Sequence, residues 1–254
     1  MIPTDERQIA LYDLSRCPAS FDFVTFLATA VTHGAKHVRF VLKNGWKSKN
    51  YHDPIERYRN IVEPAVAMWD LTYSVGDRIG VEYPYVLRSA LATYQRLGRI
   101  AKIPVQCTAK DYVTITLRNS PNRSPERDSK DHEWREFAFM LDRKAIILRD
   151  HVEQPLDLAD RMKLYANAYM NFFVINGPVT LCFHSEAPYL CMRTIGGAKS
   201  GSTAPGEITR LTGITHGFQW PWANARQRLS YLDDTVENIE SEFNKMEQAQ
   251  RKAA

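Results

Sequence analysis

The stretch KDYVTITLRNSPNRSPERDSKDHEWREFAFMLDRKAIILRD, residues 110–150, decides the fold. Its apolar and β-branched run from Val113 to Leu117 predicts a buried strand, which ends abruptly at Arg118. Apolar residues recur at helical spacing between Ser129 and Arg143, and residues 145–148 form a second apolar run. The stretch therefore predicts a strand, a polar loop, a helix and a further strand.

The polar loop is rich in arginine and begins at the carboxyl end of the predicted strand. A guanidinium group binds phosphate through a bidentate fork, and the start of the following helix would add N–H groups. The arginines that form this candidate phosphate or diphosphate site are Arg118, Arg123 and Arg127. The alternative is a solvated loop in which they pair with neighbouring acids, namely Glu126, Asp128 and Asp131.

Composition indicates an ordinary globular protein. The chain has 254 residues, 44% of them apolar and 24% charged, with a net charge of +4. This mild basicity permits a polyanionic partner without arguing for one. No run of about 18 apolar residues and no early leader-like segment occurs, so we expect a cytoplasmic protein with no membrane span. The four cysteines are dispersed in apolar surroundings and are expected to be reduced core residues.

Strand and helix patterns alternate in both halves. Ile9 to Leu14 predicts a strand, a helix follows with Ser20 or Asp22 near its start, and His37 to Leu42 predicts the next strand. Such a unit almost always forms a right-handed parallel crossover. We therefore predict an α/β protein of two small Rossmann-like halves, with parallel sheets facing a cleft, over residues 1–106 and 107–254.

Three features near the end of the chain carry further expectations. The apolar strand that ends near Ile175 breaks at Asn176-Gly177-Pro178, where a ligand could approach the backbone closely. A basic segment that contains Arg226 and Arg228 is expected to be helical. The Asp233-Asp234 pair is expected to cap an amphipathic closing helix rather than to bind a cation.

Two carboxylates in the first half are candidates for a catalytic base. Asp13 ends the first predicted strand and Asp22 opens the helix after it, so either could accept a proton from an attacking hydroxyl. The alternatives are a strand-end hydrogen bond for Asp13 and a helix cap for Asp22. The chain lacks the Walker A, G-x-G-x-x-G, C-x-x-C, H-E-x-x-H and G-x-S-x-G motifs, and we expect chemistry without a metal or a bound cofactor.

Several longer segments resemble a family of bacterial and phage proteins related to glycosyltransferases of the GT-B type. They are VTITLR, PERDSKDHEW, LADRMKLYANAYMNFFVINGP and GFQWPWANARQRLSYLDDTVENIESEF. The positions that match the family pattern are Arg118, Arg127, Ser129, Trp134, Asn176 and Gly177, while Asp128 stands where the family has Asn. The opening LYDLSRCPASFDF resembles the loop in which metal-independent heptosyltransferase-like enzymes carry a catalytic Asp. The resemblance covers most of the chain.

The resemblance implies a nucleotide-sugar-dependent glycosyltransferase. Residues 107–254 would bind the donor nucleotide through its diphosphate, and residues 1–106 would bind the acceptor, which is a glycan, a small molecule or modified DNA. An alternative is a non-catalytic protein of the same fold that binds a nucleotide or nucleic acid. Its contacts would include Trp46 and Tyr51 in the loop KNGWKSKNY, where aromatic rings could stack on bases.

Overall fold

The computed structural model describes residues 2–42, 54–119, 125–149, 156–195 and 205–253. Two compact units divide the chain. One comprises residues 1–105 and 156–162, and the other comprises residues 106–155 and 163–254.

Strands and helices alternate through the described part of the chain. The strands are β1 (Ile9–Asp13), β2 (His37–Val41), β3 (Thr72–Val75), β4 (Val81–Glu82), β5 (Tyr112–Leu117), β6 (Lys144–Arg149), β7 (Met170–Val174), β8 (Tyr189–Met192) and β9 (Gln227–Leu229). The helices are α1 (Asp22–Thr32), α2 (Pro54–Arg57), α3 (Glu63–Met68), α4 (Leu87–Leu97), α5 (Asp131–Met140), α6 (Leu158–Asn167), α7 (Val179–Phe183), α8 (Pro205–Thr212) and α9 (Val236–Ala253).

The first unit contains a parallel sheet in the order β3-β2-β1-β4. The helix α1 connects β1 to β2, as the strand-helix-strand pattern predicts. Its buried aromatic residues pack on one face of the sheet, where Tyr12 of β1 lies 4.7 Å, between ring centroids, from both Phe23 and Phe26. Burial of these large rings is the main favourable contribution to packing the helix on the strands.

A π-helical turn at Tyr58–Val62 joins α2 to α3. Pro64 lies in the first turn of α3 and has no N–H to donate to the preceding turn. The apolar pattern from Ile55 to Leu71 predicts a helix that Pro64 kinks or divides. The change of helical type just before the proline is the form that this interruption takes.

The second unit contains a parallel sheet in the order β6-β5-β7-β8-β9. Phe172 of β7 is the centre of an aromatic cluster, with ring centroids 5.0 Å from Phe137 of α5 and 5.3 Å from Phe243 of α9. The closing helix α9 is thus part of the core of this unit. The prediction of an α/β protein with two parallel sheets is confirmed.

The basic segment near Arg226 and Arg228 is not helical, and that prediction is wrong. Gln227–Leu229 form the edge strand β9, paired with Tyr189–Cys191 of β8. The alternation of inward Gln227 and Leu229 with the more exposed Arg228 has the period of a strand rather than of a helix.

Within the described ranges, none of the helices has the length and apolar character needed to cross a membrane.

Candidate functional site

Arg118 follows β5 at the carboxyl edge of the second sheet. Its backbone N–H donates to Oγ of Ser129 at 2.9 Å, and the N–H of Ser129 donates to the carbonyl oxygen of Arg118, also at 2.9 Å. These two bonds return the loop to the point where it left the strand. The side chain of Ser129 therefore stabilises the loop. The same bonds fix the backbone of Arg118, which has only 8% of its surface exposed.

The guanidinium of Arg118 forms an ion pair with the carboxylate of Asp128. Part of the alternative interpretation, in which loop arginines pair with nearby acids, therefore holds for this residue. An ion pair in such a buried position keeps both side chains in one geometry.

Arg127 differs from Arg118 in its hydrogen bonding. Its Nε atom is buried, and it has no hydrogen-bond partner among the described residues. Burial, and then the nearby positive charge of Arg118, lower the pKa of Arg127 to about 10. A buried Nε–H group without an acceptor is unfavourable, and a ligand could supply the missing acceptor.

Arg193 also contacts the loop that carries Arg118 and Arg127, and the sequence analysis did not predict this role. It follows β8, and its Nη1 donates to the carbonyl oxygen of Asp128 at 2.9 Å, while Nη2 donates to the carbonyl oxygen of Glu126. Its backbone is in the left-handed region at φ 50°, which is uncommon outside glycine. A charged residue directly after a predicted buried strand is the signal that pointed to Arg118, and it could also have found Arg193.

Asp234 does not cap the closing helix, contrary to the sequence expectation. The helix α9 begins at Val236, and the fully buried carboxylate of Asp234 instead accepts the N–H of Lys130 at 3.0 Å and Nε1–H of Trp134 at 2.8 Å. Its other oxygen lies 3.1 Å from Nη1 of Arg193. Burial raises the pKa of Asp234 above its ordinary value.

The amino end of α5 therefore already has acidic partners. The N–H of Lys130 is bonded to Asp234, and Asp131 and Glu133 lie in the first turn of the helix. Asp131 also forms an ion pair with Arg149 at the end of β6, with an N–O distance of 3.1 Å. An anion at this edge of the sheet would thus depend on the loop guanidiniums more than on the helix end.

Asn176 and Gly177 lie after β7, which is the neighbour of β5, so the structure brings them to the same edge as Arg118. Oδ1 of Asn176 accepts the N–H of Val179 at 3.3 Å, and the carbonyl oxygen of Gly177 accepts the N–H of Thr180 at 3.1 Å. Both residues thus help to begin the short helix α7.

Asp13 ends β1 in the first unit, as predicted. It is 6% exposed, and its Oδ1 accepts the N–H of Ser15 at 2.9 Å and the hydroxyl of Ser15 at 2.5 Å. Its Oδ2 forms an ion pair with Arg78. This carboxylate therefore has the strand-end hydrogen bonds of the alternative interpretation and a charged partner that the sequence did not indicate.

Asp22 is exposed and opens α1. The residue at the cap position is Phe21, which makes no side-chain cap bond. Oδ2 of Asp22 instead accepts the hydroxyl of Ser20 at 3.0 Å. Asp22 is thus placed in the first turn, where a negative charge is favourable, rather than as the cap itself.

Some candidate residues lie outside the described part of the chain. They are Arg123, Trp46 and Tyr51. Among the described residues, no group of three or more His, Cys, Asp and Glu side chains is placed to hold a metal ion.

Comparison of the chain with protein-family models, with curated proteins and with solved structures finds no match. The fold and the site geometry are thus the observations on which a function can be based.

Proposed function

We propose that the protein is a glycosyltransferase that moves a sugar from a nucleotide-sugar donor to an acceptor hydroxyl. The donor diphosphate binds Arg118 and Arg127 in the second unit, with Arg123 and the Asn176-Gly177 backbone as further contacts. Asp13 in the first unit is the base, and Asp22 is the second candidate for this role. A GT-B arrangement of the two units, metal-independent chemistry and a cytoplasmic location belong to the same proposal.

The observation that carries the proposal is the buried Nε of Arg127 without a partner, beside Arg118 at the carboxyl edge of a parallel sheet. Ligands of open α/β sheets bind at this edge. The two guanidiniums repel one another, and the carboxylates of Asp128, which is paired with Arg118, and of Glu126 offset part of this positive charge. A diphosphate would supply the further negative charge and the acceptor oxygens that Arg127 lacks.

The proposed reaction breaks the bond between the sugar C1 and the diphosphate oxygen, and forms a bond between C1 and the acceptor oxygen. Negative charge then develops on the departing diphosphate, where Arg118 and Arg127 would stabilise it. The acceptor proton passes to Asp13. Ser15 and Arg78 hold this carboxylate in one orientation, and its oxygens retain lone pairs beyond those used in these contacts.

A thermal-shift screen against nucleotides and sugar nucleotides, with and without magnesium, tests the donor site. A ligand at 100 times its dissociation constant stabilises the native protein by about 2.7 kcal/mol, which shifts the melting temperature by several degrees. We expect a shift with one sugar nucleotide in the wild type and in the exposed control Arg251→Gln, and its loss in Arg127→Gln. A full shift in a folded Arg127→Gln variant would contradict the site.

Turnover tests the base separately. Asp13→Asn should keep the thermal shift with the donor and lower the rate of sugar transfer or donor hydrolysis at least a hundredfold, which is the usual contribution of a general base. Asp22→Asn is the comparison, since Asp22 is the second candidate. Normal turnover in Asp13→Asn would exclude Asp13.

The ion pair of Asp13 with Arg78 favours a second candidate function, because it occupies the proposed base. In that case the protein binds a nucleotide or nucleic acid without catalysis. Donor binding without turnover would support it, as would binding to nucleic acid that weakens steeply with added salt.

A further inference from the structure

Charged residues lie on one face of the first sheet. His37 of β2 bonds through Nδ1 to Oγ1 of Thr72, at 2.7 Å, and through Nε2 to Oγ of Ser74, at 2.8 Å. Alternate residues of a strand share a face, so Arg39 lies on the face of His37. Asp13 shares this face, because Leu11 pairs with Arg39 and Asp13 is two residues further along β1.

The segment of residues 76–80 crosses this face on its way from β3 at one edge of the sheet to β4 at the other. A Cβ on Gly76 would lie 2.7 Å from Nη1 of Arg39, so the guanidinium rests directly on the glycine backbone. Further along, Arg78 forms its ion pair with Asp13. The segment thus places a glycine over Arg39 and a cation over Asp13.

Among the described residues, not every cation on this face has a carboxylate partner. Arg78 forms ion pairs with both Asp13 and Glu82, and Arg16 lies 4.0 Å from Glu82. Among the described residues, Arg39 has no carboxylate within ion-pair distance, and its Nε atom is buried without a hydrogen-bond partner. Arg39 is therefore a cation with unused donors next to the proposed base.

Arg39 is also open to a ligand. The residue is partly exposed, while Nη1 of its guanidinium packs against the backbone of Gly76. Burial, and then the charge of Arg39, lower the pKa of His37, which agrees with a positive potential at this position. A planar guanidinium with free donors matches the paired oxygens of a carboxylate or a phosphate.

We propose that Arg39 binds a carboxylate or phosphate group of the acceptor on this face of the first sheet. The strand spacing places the Cα atoms of Arg39 and Asp13 roughly 8 Å apart. An acceptor anchored by its anionic group at Arg39 would therefore bring a hydroxyl a few bonds away to Asp13. The assignment of this anion to an acceptor rests on the proposed function, whereas anion binding by Arg39 does not.

The Nε–H signals of the arginine side chains in the nitrogen-15 spectrum of the full chain test the inference. The Arg39 signal is identified by its loss in Arg39→Lys, which keeps the charge but has no Nε–H, and the Arg127 signal by its loss in Arg127→Lys. Inorganic phosphate and acetate are the probes. We expect the Arg39 signal to move saturably with at least one of them, while the signal of exposed Arg59 on the same unit does not.

The affinity of that probe is then measured from backbone signals of residues 72–76 in folded variants. Arg39→Gln should weaken it at least tenfold, and Arg59→Gln should leave it unchanged. An Arg39 signal that stays in place with both probes would overturn the inference, as would unchanged affinity in Arg39→Gln. If the Arg39 variants do not fold, Gly76→Ala, which displaces the guanidinium, replaces them with the same expected tenfold loss.

The test of anion binding at Arg39 does not depend on whether the proposed donor site is correct. Sugar-nucleotide binding that is lost in Arg127→Gln and retained in Arg39→Gln would support both assignments. Phosphate binding at Arg39 without any response to sugar nucleotides would retain this anion site and reject the proposed function. A sugar-nucleotide response without any movement of the Arg39 signal would retain the donor site and reject the anion site at Arg39.

Discussion

Nη1 of Arg193 lies 3.1 Å from Oδ1 of Asp234, and this pair joins the residue after β8 to the segment that leads into the closing helix. The same guanidinium donates to the carbonyl oxygens of Glu126 and Asp128. The loop that carries Arg127 is thus supported by contacts with residues much later in the chain. Changes in this network should alter the stability of the second unit and the position of the loop together.

The first prediction concerns Asp234. Asp234→Ala removes the acceptor for Trp134 and the partner of Arg193, so it should lower the free energy of unfolding by about 3–5 kcal/mol, as expected for a broken buried ion pair. Urea denaturation measures the change. Its neighbour is the control: Asp233 has 51% of its side chain exposed, and Asp233→Asn should lower the same quantity by less than about 1 kcal/mol. Equal losses would contradict the assignment.

The second prediction separates stability from binding at the loop. Arg127→Met removes a guanidinium whose buried Nε has no described hydrogen-bond partner, so it should leave the protein as stable or stabilise it by on the order of 1 kcal/mol. Arg118→Met should instead destabilise it, because Asp128 loses its partner. Both variants should lose the thermal shift with a sugar nucleotide. A marked loss of stability in Arg127→Met would show that the side chain has a structural partner.

The third prediction concerns the segment that crosses the first sheet. Gly80 has φ 126°, and a Cβ there would lie 2.6 Å from the carbonyl oxygen of Ile9. Gly80→Ala should therefore lower the free energy of unfolding by at least about 3 kcal/mol, from backbone strain and a backbone clash together. Gly34→Ala is the comparison, since Gly34 has φ 92° but nothing within 4 Å of the new Cβ. It should show a smaller loss, of about 1–2 kcal/mol.

The fourth prediction is a pH dependence that comes from His37. Burial, and then the charge of Arg39, lower the pKa of His37 from 6.5, so the unfolded chain binds the proton more readily than the folded one. The stability contributed by neutral His37 is present above pH 6.5 and is lost as the pH falls through the folded pKa. We expect the stability difference between the wild type and His37→Gln to shrink below pH 6.5, by at most about 1.4 kcal/mol per pH unit. Exposed His132 is the control, and His132→Gln should not remove this trend.

The fifth prediction links His37 to the anion site. An anion on Arg39 would offset the positive charge that helps to lower the pKa of His37, so saturating phosphate should raise this pKa. NMR titration of the imidazole with and without phosphate measures the shift. In Arg39→Gln, the pKa should already be higher and phosphate should not change it. An equal phosphate effect in this variant would point to general screening.

Much of the fold could be predicted because the spacing of the apolar residues in a segment indicates whether that segment is a strand or a helix. The strand that ends before Arg118 and the parallel arrangement of two sheets follow from such runs and from the crossover rule. The strand at Gln227–Leu229 was missed because three residues are too few to show a period, and its pairing with β8 decides the conformation. The site was predictable only as a set of charged residues at strand ends.

The sequence by itself determined the alternation of strands and helices, and with it the positions of Arg118 and Asp13 at the ends of buried strands. Only the tertiary structure decided which charges are neutralised. Arg78 meets Asp13 from 65 positions away, Arg193 meets Asp234 from 41 positions away, and Arg127 and Arg39 keep buried Nε atoms without a described partner. The physical reason is that a secondary-structure preference arises between neighbours in the chain. The state of a charge depends instead on burial and on partners that folding brings together from distant parts of the sequence.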